Sequence, residues 1–120
     1  MTTKAQNIQY QLNEWCKEYG IDKEVTFKGW ENMNEGNRFV LGRCNCYPSG
    51  WCAIYLGKNF EDRSLGFLEM SVLWHEYCHA EAYLEDMKSN AHDNVWKAKK
   101  KRKMKYVIGD AIAKMVYPLL

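Results

Sequence analysis

The stretch SLGFLEMSVLWHEYCHAEAYLED, residues 64–86, constrains the fold more than any other part of this chain. It contains no proline, and its only glycine lies near its start, so the spacing predicts a helix from about Ser64 to Asp86. Apolar residues surround most of that helix, and a helix apolar nearly all round has to be buried. The rest of the chain must therefore pack around it.

The flanking sequence supplies the material. Residues 3–19 read as a first helix, with Ile8, Leu12, Trp15 and Tyr19 on one stripe and Gly20 as its stop. Three strand candidates follow: VTFKGW from Val25, NRFVLGRCNCY from Asn37 and WCAIYLGKNF from Trp51, the last two joined by the turn sequence PSG. Phe39 with Leu41, and Cys52, Ile54 and Leu56, mark the expected buried faces. The polar stretch KSNAHDN connects the long helix to a last one over about 94–117, with Met104, Val107, Ile108, Ala111 and Met115 as its apolar stripe and Pro118 closing it. The order is one helix, three strands, then two helices, which predicts an α+β domain with the sheet packed on the central helix. With 120 residues and no repeat or linker, the chain reads as a single domain over 1–120. Its 47% hydrophobic and 14% aromatic content suffices for a packed core and argues against disorder.

The same composition narrows the compartment. No apolar run approaches the roughly 20 residues of a membrane span, and MTTKAQNIQYQLNEW lacks a signal-peptide core. Five cysteines, an odd number, fit free thiols in a reducing environment better than a disulfide framework. A cytoplasmic protein is the expectation.

All three histidines fall within residues 75–92. On a helix, His75 and His79 are neighbours on one face, so both imidazoles can reach one ion, and Zn²⁺ suits nitrogen ligands. Glu76 sits beside that face, placed to act as general base on a water at the metal. Catalytic zinc usually takes three protein ligands and keeps one position open. His92, returning from the polar connection, is the favoured third ligand. Glu85 requires a helix break where this chain has Ala82, a strong helix former, and Asp93 competes with its neighbour His92.

Other features are weighed against simpler readings. Cys44, Cys46 and Cys52 follow a C-x-C-x5-C spacing that is not a common zinc pattern, so packing is expected there. Cys78 turns away from the metal face and belongs to the core. Tyr83 and Tyr106 are candidates to hydrogen-bond a tetrahedral intermediate, although packing explains each. Net charge is +2, yet Lys97, Lys99, Lys100, Lys101, Arg102, Lys103 and Lys105 put seven positive charges in one short run. That block is either a solvated helix face or a surface for sequence-nonspecific nucleic acid binding through phosphates.

With HEYCHAEAY as the helix motif, and AHDNVW placing Trp96 four residues after His92, the chain resembles the SprT-like (Spartan-type) zinc metallopeptidases over about residues 5–105. The family usually has glycine where this chain has Asp93, and the likeness is to the protease core without the C-terminal zinc ribbon that many members carry. The resemblance implies a minimal zincin-like domain. It also implies zinc bound by His75, His79 and His92, with Glu76 as base for hydrolysis of a protein or peptide substrate. An extended substrate would pair with a sheet edge, for which WCAIYLGKNF is the candidate strand. The competing reading is a nucleic-acid-binding protein whose zinc is structural or catalytically inactive. A third is a metal-dependent hydrolase acting on a non-peptide bond.

Overall fold

The computed structural model of the protein describes residues 2–33 and 41–85. The elements are α1 (Lys4–Glu18), β1 (Val25–Glu31), β2 (Gly42–Tyr47), β3 (Trp51–Gly57), a 3-10 turn (Lys58–Phe60) and α2 (Phe67–Glu85). The architecture is α+β, with two helices and a three-stranded mixed sheet. The expected last helix and Phe39 lie outside the described residues.

Local chemistry sets the ends of α1. The Thr3 hydroxyl accepts from the Gln6 backbone N–H at 3.1 Å, and the Thr3 N–H donates to the Gln6 side chain at 2.9 Å, a reciprocal capping box. At the other end Gly20 adopts φ +71°, and the Ile21 N–H reaches back to the Cys16 carbonyl at 2.8 Å. That left-handed turn satisfies a carbonyl the helix would otherwise leave open. Between these ends Ile8, Leu12, Trp15 and Cys16 are buried, and Tyr19 packs partly buried against them.

Strand order is β1-β3-β2, with β3 parallel to β1 and antiparallel to β2. The sheet-edge expectation for WCAIYLGKNF is therefore wrong: β3 is the central strand. The Pro48–Gly50 turn folds β2 back along one side of it, and β1 occupies the other. Cys52, Ala53 and Ile54 are all 0% exposed, the continuous apolar run of a strand covered on both faces. The outer edge of β1 is engaged by α1, since the Gln9 side chain donates to the Val25 carbonyl at 3.0 Å and accepts from the Phe27 N–H at 2.7 Å. Among the described residues, β2 has a strand neighbour on one side only.

α2 packs against both α1 and the sheet. Trp74 and Tyr77 meet Trp15 of α1 and Tyr19 at its C-terminal cap, with Trp15 and Trp74 edge to face at 4.9 Å between ring centres. Cys52, Ile54 and Leu56 of β3 join Ile8, Leu12, Val72, Leu73 and Ala80 in one core. A buried ion pair fixes the start of α2: Lys4 Nζ lies 2.6 Å from Glu69 Oε1, and the Trp30 indole N–H donates to Glu69 Oε2 at 2.9 Å. The Lys4 ammonium also donates to the Arg63 carbonyl at 2.7 Å, which ties the chain entering α2 to the start of α1.

One titration follows from this packing. Burial, reinforced by the negative charge of Glu81, pushes the Cys16 thiol up to about 11. The unfolded thiol ionises near its ordinary value of 9.0 while the folded one stays protonated, so stability falls as pH rises between those values. Cys16 should account for about 2–3 kcal/mol of that loss. Urea unfolding across this alkaline range should show a shallower decline in Cys16→Ala, with the raised Tyr19 and Tyr77 hydroxyls sustaining the remainder.

Candidate metal centre

A helix turns about 100° per residue, so α2 presents two opposed faces. Trp74, Tyr77 and Glu81 lie on the side that meets α1. Val72, His75, Glu76 and His79 lie on the other, which packs on β2. The aromatic contacts with α1 thus set the rotation of α2 and, with it, the direction of both histidines.

His75 and His79 are brought together as the motif requires, with their Nε2 atoms 3.1 Å apart and their rings edge to face at 4.8 Å. Two nitrogens each about 2.0–2.1 Å from one tetrahedral zinc stand about 3.3–3.4 Å apart. The pair therefore fits a shared ion with a shift of a few tenths of an ångström. Glu76 Oε1 lies 4.0 Å from His75 Nε2, beyond hydrogen-bond range, in a side chain that is itself buried. One ligand atom from each of His75, Glu76 and His79 falls within 4.8 Å of the others. The arrangement offers two imidazole ligands and a carboxylate one step away, a set able to hold a metal and move a proton beside it.

Gly42 is a site residue that the sequence reading missed. A Cβ at this position would lie 2.7 Å from Val72 Cγ1 and 3.0 Å from Glu76 Cγ. The missing side chain is what lets α2 approach β2 at the level of Glu76. A glycine inside a strand was the available signal, since it often marks a close approach of another element. Gly42→Ala should cost about 1–3 kcal/mol by overpacking. It should displace Glu76 more than the imidazoles, so metal binding by the histidine pair should be largely kept. Urea unfolding and metal analysis on the same preparation check this.

The thiols form a second group. Cys44, Cys46 and Cys52 were expected only to pack, but their Sγ atoms all lie within 4.8 Å of one another. Cys52 donates to Cys46 at 2.8 Å, and Cys44 lies 3.6 Å from Cys46. Hydrogen bonding from Cys44 and from Cys52, helped by the charge of His79, draws the Cys46 thiol down to about 4 against the opposing effect of burial. Cys44 is held well above the ordinary thiol range by its contacts with Cys46 and Cys52 and by burial. None of the five cysteines is in a disulfide, and Cys78 is buried in the core as expected.

α2 runs unbroken through Ala82 to Glu85. Position 85 therefore lies about 9 Å along the axis from His79, which disfavours it as a third ligand. Tyr83 is partly buried against the core. His92, Asp93, Trp96, Tyr106 and the basic run Lys97–Lys105 lie outside the described residues. Compared with known protein families, curated proteins and solved structures, the chain matches none.

Proposed function

We propose that the protein is a zinc-dependent metallopeptidase of the SprT-like kind, acting in the cytoplasm. The observation that carries this reading is the 3.1 Å approach of His75 Nε2 to His79 Nε2 with the buried carboxylate of Glu76 beside them. Both rings must carry their proton on Nδ1, leaving Nε2 as the ligand atom, and His92 completes the set. Zinc at this position supplies Lewis acidity and lowers the pKa of water towards about 7. Glu76 accepts the proton of the attacking water and returns it to the leaving amine.

The substrate strand is assigned to β2 rather than β3. β2 runs beside the histidine face of α2, Gly42 lies against Glu76, and an extended peptide paired with its outer side would pass the metal. Among the described residues no helix is long and apolar enough to cross a membrane. The test is digestion of an unfolded protein by the zinc-loaded full chain, with products identified by mass spectrometry. Cleavage that stops with a chelator and returns with zinc supports the proposal. A chain that retains zinc and leaves every substrate intact favours the structural-zinc alternative.

The basic run gives this peptidase a second contact. Lys97–Lys105 would hold nucleic acid through phosphates, bringing the active site to nucleic-acid-associated protein. Affinity should be indifferent to sequence, fall steeply with salt, and vanish in a Lys99→Glu, Lys100→Glu, Lys103→Glu variant that keeps its zinc. Absence of binding to single- or double-stranded DNA or RNA at low salt would return the run to a solvated face.

A further inference from the structure

We infer that Cys44, Cys46 and Cys52 form a second metal site, with a donor set distinct from that of the histidine pair and selective for a soft monovalent ion of the copper(I) class. The fold assembles this group across the β2–β3 hairpin. Cys46 lies directly opposite Cys52 across the β2–β3 ladder, and Cys44 is two residues away on the same face of β2. The Gly57 N–H donates to the Leu41 carbonyl, which makes Leu41 and Gly57 a hydrogen-bonded pair. Such pairs alternate along an antiparallel ladder, so Cys46 and Cys52 occupy a non-hydrogen-bonded pair, the kind whose side chains stand closest. The hairpin register, rather than sequence spacing, converges the three sulfurs.

The donor set defines the ion. Three sulfurs within 4.8 Å present soft ligands only, and their spread encloses the roughly 4 Å separation of sulfurs bonded at about 2.3 Å to one trigonal ion. Structural zinc takes four ligands, and among the described residues no fourth cysteine or histidine falls within this group. Copper(I) is satisfied by thiolates alone, and soft sulfur ligands favour it over harder divalent ions. Cys44 and Cys46 are only partly buried, which leaves an approach, while Cys52 is fully buried and anchors the floor. On binding, Cys46 and Cys52 part by about 1 Å to reach that trigonal spacing, and thiol protons are released to solvent. The histidine face of α2 offers nitrogen and carboxylate instead, so the two sites divide ions by softness.

The test is anaerobic titration of the reduced full chain with copper(I) against bathocuproine disulfonate as a coloured competitor. One equivalent should transfer to the protein with growth of ultraviolet thiolate-to-copper absorption. The His75→Ala, His79→Ala double variant should behave the same, whereas Cys46→Ser should weaken binding at least about 100-fold. Alkylation of the wild-type chain, read by mass spectrometry, gives a check that needs no variant: copper(I) should protect the partly exposed Cys44 and Cys46 and leave the buried Cys16 and Cys78 unchanged. Failure to compete, full binding by Cys46→Ser, protection of Cys16 or Cys78, or loss of binding in the histidine variant would each overturn the inference. None of these results depends on peptidase activity.

Discussion

Glu76→Gln is expected to abolish peptide cleavage while the protein keeps its zinc and its fold. The amide matches the carboxylate in shape but cannot take a proton from water at neutral pH. General base catalysis contributes about 10²–10⁴-fold, and removing it here should cost at least that much. Because Glu76 stands 4.0 Å from His75 Nε2 rather than bonded to it, the imidazole pair should be undisturbed. The measurement is turnover and zinc content on one preparation. Unchanged turnover would remove Glu76 from the mechanism, and loss of zinc together with activity would make it a ligand.

His79→Ala should empty the site. Removing it takes away the neighbour of His75 Nε2 at 3.1 Å and, on the proposed coordination, strips a direct ligand from a set of three. The loss in zinc affinity should far exceed the roughly 10–100-fold typical of outer-shell partners. Elemental analysis should fall from about one zinc per chain to near none. His92→Ala should lose most of the metal too, and full retention there would move the third ligand to Glu85 or Asp93. In either variant Trp74 and Tyr77 still hold α2 against α1, so helix content should be preserved while activity is not.

Much of this layout was legible in the sequence, for physical reasons. Thr3 and Gly20 bound α1 through capping chemistry that depends on only a few residues, and α1 spans Lys4–Glu18 where 3–19 was expected. The apolar girth of α2 announced a buried helix, and its core begins three residues later than expected, at Phe67. The histidine pair was legible because i and i+4 adjacency is a property of the helix itself. What failed was the part set by pairing between distant segments. Which strand lies at the centre of a sheet depends on tertiary contacts, and β3 was mistaken for an edge despite its run of Cys52, Ala53 and Ile54. The thiol group was dismissed on spacing along the chain, whereas its geometry comes from spacing across a hairpin. Gly42 carried a signal that needed a partner, and only α2 supplied it.

The most direct measurement of the central claim is zinc X-ray absorption on the full chain loaded with one equivalent of zinc. The account predicts a shell of nitrogen and oxygen at about 2.0–2.1 Å with the outer scattering of imidazole rings. It predicts that this signature disappears in the His75→Ala, His79→Ala variant. A first shell dominated by sulfur at about 2.3 Å would contradict it, placing the zinc on Cys44, Cys46 and Cys52 and leaving the histidines and Glu76 without the metal their chemistry requires.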